Sequence, residues 1–493
     1  MKLSNILNDI TTINFQDCDI ANITLDSRQA TNGFLFCAIN GHNIDARKFI
    51  DSTLENNVTA ILADSDTTED YVEIIQDTQI IYIHDLNSKL SKIADNFYQH
   101  PSTKTNIVGI TGTNGKTTIA QLVGQWIDLL GFKSATMGTI GNGFYGNLVE
   151  AANTTGSAFD IQENIANYAE GNAKCVTMEV SSHGLVQGRI DAVKFDIAAF
   201  TNLSQDHLDY HNTMKEYFQA KASLFTDFDT KHKVINIDDE YGKKLVDLIE
   251  DKDTIIAIST KNNYLSDKFK RFFYVKNVQY TNKGTLISFA SDFGDFVIKT
   301  QLIGPFNVSN TLQALAIMFA LGFNKEDILH SASKLTPVIG RMEIFKKGSK
   351  PTIIVDYAHT PDGLEKALQA ARIHTAGNLW CIFGCGGDRD ITKRPIMAQI
   401  AEKNADKLII TNDNPRTEDE NKILADVEAG IKNKDSVKTI PDRFSAIKYA
   451  LENATSKDLI LVAGKGHEDY QIIGTEKIHY SDRESAMKLL GIN

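Results

Sequence analysis

A glycine-rich segment followed by lysine and threonine is the strongest chemical signal in the chain. It covers residues 109–118, GITGTNGKTT, between an apolar stretch typical of a strand and an amphipathic stretch typical of a helix. Glycines let backbone N–H groups approach phosphate oxygens, and the N-terminus of the following helix adds a favourable dipole. Lys116 can neutralise terminal phosphates, and the Thr117 hydroxyl can bind Mg²⁺. The segment therefore predicts a site for ATP or a similar nucleoside triphosphate.

The spacing of this loop departs from the usual G-x-x-x-x-G-K pattern. Ile110 stands where the first glycine is expected, and Gly112 instead begins a shorter G-x-x-G-K-T-T. A glycine-rich turn without a ligand is therefore the alternative interpretation. The coincidence of the lysine, the two threonines and the strand–helix context favours phosphate binding.

Polar side chains also follow two other apolar runs. Glu179 ends the run 175–180, where a carboxylate is well placed for a ligand crevice and suits Mg²⁺. The stretch TNLSQDHLDYH, residues 201–211, follows the next run, and its polar side chains include Asn202, Asp206, His207, Asp209 and His211. A surface carboxylate and a polar loop are the alternatives, and no second His/Cys cluster supports zinc.

Lys221 lies on the apolar face of a predicted helix over residues 214–225. Apolar residues stand at 214, 217, 218, 224 and 225, and position 221 falls on the same stripe. A lysine there is buried, extends its ammonium to solvent or has a function, and periodicity alone favours the second. A buried lysine has a lowered pKa. A neutral amine can react with carbon dioxide to form a carbamate, an anion able to lie beside magnesium.

The composition of the whole chain limits the classes of function. It has 493 residues, a formal net charge of −12 and 42% hydrophobic residues, as in an ordinary globular protein. So acidic a chain is unsuited to sequence-independent nucleic-acid binding, which depends on phosphate neutralisation. No apolar run suits a transmembrane helix or a signal peptide, and the five cysteines are scattered. We therefore expect a soluble, cytosolic, multidomain protein with reduced thiols.

Apolar runs that alternate with amphipathic stretches predict an α/β protein with parallel sheets. The predicted strands include 107–110, 175–180, 197–200, 234–237, 255–258, 353–355, 379–383, 408–410 and 459–462. A helix is predicted over 119–130 with a stop at Gly131, and Ser481 and Glu484 predict a capping box before a last helix. Polar or proline-containing stretches at 99–105 and 337–340 predict linkers and therefore three pieces.

Taken in order, these motifs resemble those of the Mur ligases of peptidoglycan synthesis, whose phosphate loop usually has this shortened spacing. The resemblance covers essentially the whole chain and extends to the type that adds the third residue of the stem peptide (the MurE type). The matching stretches are LDSRQATNGFLFCAINGHNIDARKFI near the N-terminus, NTTGS at 153–157, EVSSHGLVQGR at 179–189, NLSQDHLDYH, GPFNVSNTLQALA from Gly304, GRME from Gly340, DYAHTPDGL from Asp356, GCGGDRD from Gly384, DNPR at 413–416 and GKGHEDYQ at 464–471.

The resemblance implies three domains and a set of binding residues. An N-terminal α/β nucleotide-sugar domain (1–100) and a C-terminal Rossmann-like α/β domain (338–493) would flank a P-loop-type parallel-sheet ATPase domain (101–337). The implied ATP contacts are Gly112, Thr113, Asn114, Gly115, Lys116, Thr117, Thr118, Asn307, Asn310, Arg341, Asp356 and His359. The implied UDP-substrate contacts are Ser27, His42, Asn43, Asn153, Thr154, Thr155, Ser181, Gln187 and Arg189. Mg²⁺ would be held by Thr117, Glu179, His207 and Lys221, the last as N6-carboxylysine, and the catalytic residues would be Lys116, Lys221 and His207.

The amino acid that such a ligase adds is usually meso-diaminopimelate or L-lysine, which differ by one carboxylate. An arginine can grip that carboxylate through two hydrogen bonds, and the family's diaminopimelate adders carry DNPR, which supplies Arg416 here. The remaining implied contacts are Arg389, Asp413, Asn414, Gly464 and Glu468, of which Glu468 could hold the ammonium. An exposed turn arginine is the alternative interpretation of Arg416 from the residues alone.

The implied reaction is ATP-driven amide formation on UDP-N-acetylmuramoyl-L-alanyl-D-glutamate through an acyl phosphate. The partners would be small molecules only, with no nucleic acid and no membrane insertion, and the enzyme would be a cytoplasmic monomer serving cell-wall synthesis. The L-lysine-adding ligase is the first alternative. A folylpolyglutamate-synthase-like ligase is disfavoured by the N-terminal motifs and DNPR, and a non-catalytic nucleotide-binding regulator by Glu179, His207 and Lys221.

Overall fold

The computed structural model describes residues 1–41, 44–151, 153–261, 268–281, 284–434 and 437–492. The chain forms two compact units, one of Met1–Ile256 with Ala320–Gly322 and one of Ala257–Phe319 with Phe323–Asn493. The boundary between them falls within strand β13 (Ile255–Ser259). Among the described residues, no helix has the length and hydropathy needed to cross a membrane.

The first unit begins with a small sheet covered on both faces. Its strands are β1 (Asn22–Thr24), β2 (Phe34–Ala38), β3 (Ala60–Asp64), β4 (Tyr71–Ile75) and β5 (Thr78–Ile83), in the order β1-β2-β3-β5-β4. Only β4 pairs antiparallel. Its helices are α1 (Leu3–Ile6), α2 (Ile50–Glu55) and α3 (Leu86–Phe97). Successive strand residues face opposite sides, so Leu62 and Ile61 enter two separate apolar clusters.

A second sheet in the first unit positions the phosphate loop. Its strands are β6 (Asn106–Thr111), β7 (Ser134–Gly138), β8 (Gly141–Phe144), β9 (Asn147–Val149), β10 (Cys175–Glu179), β11 (Ile197–Phe200) and β12 (His232–Asn236), in the order β12-β11-β6-β10-β7-β8-β9. The helices are α4 (Lys116–Leu129), α5 (Ala158–Glu170), α6 (Ser182–Val186), α7 (Leu208–His211), α8 (Met214–Thr226) and α9 (Glu240–Leu248). Because β6 lies parallel to and between β10 and β11, the segments that follow these three strands emerge at one edge.

The second unit contains an antiparallel layer and a mostly parallel sheet. The layer consists of β14 (Arg271–Thr281), β15 (Gly284–Ser291) and β16 (Gly294–Thr300), followed by α10 (Pro305–Ala320) and α11 (Lys325–Ser331). The sheet has β17 (Glu343–Phe345), β18 (Thr352–Asp356), β19 (Leu379–Phe383), β20 (Lys407–Ile410), β21 (Val437–Thr439) and β22 (Leu459–Ala463), in the order β17-β18-β22-β19-β20-β21.

Five helices and a hairpin complete this unit. The helices are α12 (Pro361–Ile373), α13 (Lys393–Asn404), α14 (Glu420–Glu428), α15 (Arg443–Asn453) and α16 (Asp482–Leu490). The hairpin is formed by β23 (Tyr470–Ile473) and β24 (Glu476–His479). Strand residues such as Leu461 and Ile460 enter two different apolar clusters, so the sheet is buried on both faces.

The predicted α/β class is confirmed, and each apolar run predicted as a strand overlaps one, although the runs 175–180 and 234–237 extend one residue beyond β10 and β12. The predicted parallel sheet is confirmed at its centre, where β7, β10, β6, β11 and β12 pair in parallel, and antiparallel strands extend it. Strands β8 and β9 pair antiparallel at one edge, and β14 to β16 also pair antiparallel. Strand β14 forms no continuous apolar run, because its buried residues lie among more exposed ones. Only strands covered on both faces appear as continuous apolar runs.

The structure adds detail to one local prediction and corrects another. The stretch 99–105, predicted to be a linker, contains the 3₁₀ helix Pro101–Thr103, and the buried Ser102 hydroxyl accepts a hydrogen bond from Lys194 N. Ser481 caps α16 as predicted, by accepting from Glu484 N, but the Glu484 carboxylate instead pairs with His479. The predicted domain boundaries stay predictions.

Candidate active site

The phosphate loop adopts a conformation that only glycine accommodates without strain. Gly112 and Gly115, between β6 and α4, have φ values of 141° and 92°. A Cβ atom on Gly112 would also collide with the Thr201 hydroxyl. The glycines of the motif therefore allow both the turn and the close approach of the neighbouring segment.

The segment after β11 holds this loop in place. Asn202 O accepts from Thr113 N at 2.8 Å, and Asn202 Oδ1 accepts from Asn114 N at 3.1 Å. In return, Thr201 Oγ1 and Asn202 Nδ2 donate to Asn114 O at 2.6 and 3.0 Å. These bonds rigidify the loop, so that its shape is largely formed before a ligand arrives.

Lys116 lies across the loop that it follows. Its Nζ donates to Gly112 O at 2.9 Å and to Thr113 O at 3.0 Å. Its backbone begins α4, where the helix dipole favours anions. A cation and a helix N-terminus converge on one glycine-rich turn, which is the arrangement that binds phosphate.

Glu179 is a buried carboxylate that accepts hydrogen bonds from two threonines. It is 2% exposed, and its Oε2 accepts from Thr117 Oγ1 at 2.9 Å. Thr139 N donates to Oε1 at 2.9 Å, and Thr139 Oγ1 donates to Oε2 at 3.2 Å. A Cβ on Gly138 would overlap the carboxylate. The Thr117 hydroxyl and the Glu179 carboxylate form a pair of hard oxygen donors suited to Mg²⁺.

The hydroxyl of Thr139 continues this chain to the predicted UDP-substrate residues. Thr154 Oγ1 lies 3.0 Å from Thr139 Oγ1. Thr155 Oγ1 donates to Glu179 O at 2.9 Å and accepts from Ser181 N at 3.0 Å. The structure therefore joins the predicted magnesium and substrate residues of this unit in one hydrogen-bond network.

Lys221 is buried rather than extended to solvent. It is 1% exposed, and its Nζ donates to Gly112 O at 3.0 Å and lies 4.8 Å from the centre of the Tyr217 ring. Burial, reinforced by repulsion from Lys116, lowers the pKa of Lys221 well below its usual range. The solvent-extended alternative is therefore wrong, and the site favours the neutral amine that carbamate formation requires.

His207 belongs to a group of aromatic and imidazole rings beside Lys221. Its Nε2 lies 3.5 Å from Asp206 Oδ2, and its ring centre lies 6.1 Å from that of Tyr217. The Tyr217 hydroxyl also lies 3.3 Å from Thr113 Oγ1. Tyr217 thus borders the phosphate loop, Lys221 and His207. Within the described part of the chain, no group of three His, Cys, Asp or Glu residues is arranged to hold a metal ion.

Arg189 and Gln187 form a second polar cluster beside Thr155. The Arg189 guanidinium donates to Thr155 O at 2.7 Å and to Gln187 Oε1, and Gln187 Nε2 lies 3.3 Å from the Tyr210 hydroxyl. Burial lowers the pKa of Arg189. A half-buried arginine beside the Thr154–Thr155 segment suits an anionic substrate group.

The other predicted UDP-substrate residues are less informative. Ser181 caps α6 through a hydrogen bond from Gly184 N, and Asn153 is exposed in the bend before Thr154. Ser27 lies in the turn after β1, where its carbonyl accepts from Ala30 N. His42 and Asn43 lie outside the described residues.

The second unit contains the five predicted ATP-binding residues between positions 307 and 359. The side chains of Asn307 and Asn310 are buried on α10 and bond to each other at 3.1 Å. The Asp356 carboxylate accepts from Met342 N and Ala358 N, and burial raises its pKa although Arg341 opposes this. Arg341 stacks 4.3 Å from the Tyr357 ring centre. The exposed His359 follows at the carboxyl end of β18.

The residues predicted to bind the incoming amino acid lie near the carboxyl ends of β19, β20 and β22. Arg416 Nη1 donates to Gly387 O at 2.9 Å, and a Cβ on Gly386 would lie 2.9 Å from that nitrogen and 3.9 Å from Arg389 Cγ. The Arg416 backbone, with φ of 52°, is held by hairpin β23–β24 through bonds to Ile472 and Gly474. Both predicted arginines therefore flank one glycine turn.

Glu468 and Asn414 share a lysine that the sequence analysis did not assign. Lys465 Nζ donates to Glu468 Oε2 and Asn414 Oδ1, both at 3.0 Å, and lies 3.8 Å from Asp413 Oδ1. A Cβ on Gly464 would lie 2.6 Å from Asp413 Oδ2, so a glycine there permits the close approach of that carboxylate. Asp413, Asn414, Lys465 and Glu468 are called the amino-acid cluster below.

Comparison with known proteins assigns the family. Models described as "Mur ligase family, catalytic domain", "Mur ligase middle domain" and "Mur ligase, glutamate ligase domain" match residues 19–98, 110–318 and 340–466. The chain belongs to the Mur ligase family. Members similar to it include the proteins of Haemophilus influenzae (strain PittGG), 49% identical over 96% of this chain and 97% of that one, and Vibrio vulnificus, 47% identical over 100% and 99%. Both are named UDP-N-acetylmuramoyl-L-alanyl-D-glutamate–2,6-diaminopimelate ligase.

Solved Mur ligase structures share the fold. A structure titled with the same ligase name has a TM-score of 0.72 at 32% identity and covers 100% of this chain and 99% of its own. MurF ligase from Thermotoga maritima in complex with ADP has a TM-score of 0.62 at 15% identity, with 96% of both chains covered. Mycobacterium tuberculosis folylpolyglutamate synthase has a TM-score of 0.62 at 16% identity over 83% of this chain and 96% of its own. The last two show likeness of fold alone.

The sequence analysis did not assign three residues that make several contacts in the candidate site of this Mur ligase. Thr139 and Tyr217 carry no motif signal of their own, because a threonine after a strand and a tyrosine on an apolar stripe are common. Lys465 lies inside GKGHEDYQ, between two glycines and three residues before Glu468. A lysine at that place in a matched motif was a usable signal.

Proposed function

We propose that this chain is an ATP-dependent ligase that adds meso-diaminopimelate to UDP-N-acetylmuramoyl-L-alanyl-D-glutamate in peptidoglycan precursor synthesis. The observation that carries the proposal is the identity of 49% and 47% with relatives named for this reaction, over at least 96% of the chain. The proposal includes small-molecule partners only, a cytoplasmic location and a monomer.

The phosphate loop supports the ATP-dependent step. Lys116, with its Nζ beside the Gly112 and Thr113 carbonyls, would neutralise the terminal phosphates. The loop N–H groups and the start of α4 would bind the phosphate oxygens. The nucleotide contacts proposed in the second unit, Asn307, Asn310, Arg341, Asp356 and His359, stay predictions.

The donor set in the first unit supports a magnesium site. Thr117 and Glu179 would hold the ion through oxygens that now lie 2.9 Å apart. When bound, magnesium would offset charge on the transferring phosphoryl group. His207 and carbamylated Lys221 complete the proposed set. Carbamylation joins the neutral Nζ to carbon dioxide and releases one proton, and the lowered pKa of Lys221 favours the neutral form.

The proposed reaction has two steps. The D-glutamyl side-chain carboxylate attacks the γ-phosphorus of ATP, which gives an acyl phosphate and ADP. The amine of diaminopimelate then attacks the acyl carbon, loses a proton and releases inorganic phosphate. Arg189 and the Thr154–Thr155 segment would position the muramoyl dipeptide, and Lys116 would stabilise charge during phosphoryl transfer.

The geometry around Arg416 supports diaminopimelate over L-lysine. Only diaminopimelate has a second carboxylate, and Arg416 lies beside Arg389 at the Gly386 turn. A glutamate-adding ligase like folylpolyglutamate synthase is the other enzymatic candidate, supported by likeness of fold alone.

An assay of product formation tests the proposal. Purified protein is incubated with ATP, Mg²⁺ and the UDP-muramoyl dipeptide, plus either meso-diaminopimelate or L-lysine, while phosphate and tripeptide product are measured. We expect product with diaminopimelate, none with Lys116→Ala, and a much larger loss of diaminopimelate use than of ATP binding in Arg416→Ala. Product with L-lysine alone would identify the lysine-adding type, and no phosphate release with either amino acid would favour a nucleotide-binding regulator.

A further inference from the structure

The amino-acid cluster contains a lysine that cannot itself contact a ligand. The Lys465 side chain is 0% exposed, while the Asp413 and Glu468 side chains are 11% and 15% exposed. A fully buried ammonium is costly unless anions and acceptors surround it. Lys465 meets this condition through Glu468 Oε2, Asn414 Oδ1 and the nearby Asp413 Oδ1. It therefore acts through these neighbours.

Lys465 fixes which way the Asn414 amide faces. An ammonium only donates, so the amide oxygen must face it. That oxygen also accepts from Ile472 N at 3.1 Å, and Asn414 Nδ2 consequently donates to Glu468 Oε2 at 3.2 Å. The orientation of Asn414 and one hydrogen bond to Glu468 thus both depend on Lys465.

Lys465 also orders the Glu468 carboxylate. Oε2 accepts from both Lys465 Nζ and Asn414 Nδ2. Among the described residues, Oε1 accepts no hydrogen bond, so it is the oxygen left for a ligand. The backbone supports the same arrangement, because Glu468 N donates to Lys465 O at 2.9 Å.

The charges of the cluster leave one negative charge uncompensated. Asp413 and Glu468 contribute two, and Lys465 offsets one of them. The neighbouring buried Arg443, whose charge also acts on Asp413, is itself paired with Asp482. Without Lys465, two nearby carboxylates would repel each other in a largely buried site. With it, the remaining single charge matches one ammonium group, while Arg416 and Arg389 supply cations for a carboxylate.

We propose that Lys465 is a positioning residue that sets the amino-acid subsite for one ammonium group of the incoming diamino acid. It does so by holding Glu468 Oε2 and Asn414 and by offsetting one of two carboxylates. This inference rests on the proposed ligase function, in which Glu468 holds the ammonium and Arg416 the second carboxylate, and adds the residue that positions Glu468 and Asn414.

The two recognitions can be separated with two analogues of meso-diaminopimelate. L-2-Aminopimelate keeps the second carboxylate but lacks the second ammonium, whereas L-lysine keeps that ammonium but lacks the carboxylate. The test compares kcat/KM for the three amino acids in wild type, Lys465→Met, Lys465→Arg and Arg416→Ala. Lys448→Met, at an exposed ion pair with Glu452, is the matched control.

In Lys465→Met, we expect KM for meso-diaminopimelate to rise about tenfold or more, the usual effect of losing a hydrogen bond to a charged group. KM for ATP and for the nucleotide substrate should move less than threefold. The preference for meso-diaminopimelate over L-2-aminopimelate should fall about tenfold. Lys465→Arg should restore most of this preference, whereas Arg416→Ala should instead lose the preference over L-lysine.

Two results would overturn the inference. One is an unchanged preference for meso-diaminopimelate over L-2-aminopimelate in folded Lys465→Met. The other is an equal change in the KM values for meso-diaminopimelate, ATP and the nucleotide substrate. If thermal melting shows that Lys465→Met does not fold, the Glu468→Gln variant replaces it in the test. With Lys465 intact, this variant must lose the preference for meso-diaminopimelate over L-2-aminopimelate, or the inference fails. Wild-type protein that makes no product with any amino acid would refute the proposed function instead, so the two failures are distinguishable.

Discussion

At the scale of single residues, burial rather than residue type decides what several polar side chains do. Thr117, Glu179 and Lys221 are each less than a tenth exposed, and each donates or accepts a hydrogen bond beside the phosphate loop. In such surroundings hydrogen bonds are stronger, and unpaired groups are more costly, than in water. Small substitutions there should therefore have clear and separable effects.

Thr139 tests the link between the proposed magnesium and substrate residues. Thr139→Val keeps the backbone hydrogen bond to Glu179 Oε1 but removes the hydroxyl contacts to Glu179 Oε2 and Thr154. We expect the Mg²⁺ concentration for half-maximal nucleotide binding to rise about tenfold, because a bond to a charged group is lost. Thr139→Ser should restore it. Isothermal titration with and without Mg²⁺ measures this, and an unchanged Mg²⁺ dependence in the valine variant would contradict it.

We expect the buried Lys221 to lower the free energy of unfolding near neutral pH. Its pKa is lowered in the folded state, so between that pKa and the ordinary lysine value the unfolded chain binds the extra proton, and stability rises with pH. Lys221→Met should therefore melt a few degrees higher than wild type near neutral pH, with a gap that narrows as pH rises. Melting in carbonate-free buffer without Mg²⁺ from pH 6.5 to 9 measures it. A gap that widens with pH would refute the assignment of a depressed pKa.

At the scale of elements, the phosphate loop and helix α4 show how closely local sequence controls local structure. Gly112, Gly115 and Gly131 all have positive φ, and they lie before the first and after the last turn of α4. Glycine is favoured at such positions because it lacks Cβ. The predicted stop at Gly131 is confirmed, and the helix begins at Lys116, ahead of the predicted start.

The two ends of α4 provide a matched pair of substitutions. Gly112→Ala should weaken ATP binding more than tenfold, because its Cβ would collide with the Thr201 hydroxyl and deform the loop. Gly131→Ala, where nothing lies within 4 Å of the added Cβ, should lower stability by about 1 kcal/mol and leave ATP affinity intact. Calorimetric ATP titration and chemical denaturation measure the two effects. Equal ATP affinities in both variants would show that the loop tolerates the change.

Strands with one exposed face were harder to predict than strands buried on both faces. The runs 379–383 and 459–462 were found because every residue is apolar, and both are fully buried strands. Strands β14 and β16 show no such run, because exposed residues interrupt the buried ones along them. Glu484 pairs with His479 rather than with the N-terminus of α16. His479 lies on strand β24, outside the helix, so the sequence of the helix alone did not predict this pair.

At the scale of the whole molecule, the two compact units carry different groups of proposed ligand contacts. Thr154, Ser181 and Arg189 belong to the first unit, and the amino-acid cluster with Arg416 belongs to the second. Each unit has its own apolar clusters on both faces of a sheet. Local stability in such a molecule varies from segment to segment, so a ligand should protect the segments that contact it.

Hydrogen exchange can test this division. The UDP-muramoyl dipeptide should slow amide exchange at residues 153–155 and 181–189, whereas meso-diaminopimelate should slow exchange at 413–416 and 464–468. Peptide-level mass spectrometry of the full chain measures both, and Arg416→Ala should abolish only the second effect. Protection by diaminopimelate confined to 181–189 would reassign the amino-acid residues.

The sequence by itself determined the features that depend on neighbours along the chain. The phosphate loop, helix α4 and the buried strands follow from glycine conformation and from apolar runs, and the family follows from the order of its motifs. Only the tertiary structure decided the state of Lys221, which donates to Gly112 across 109 positions of chain, and the role of Lys465, which pairs with Asn414 across 51. The reason is physical, since the energy of a buried charge depends on which groups lie within a few ångströms in space.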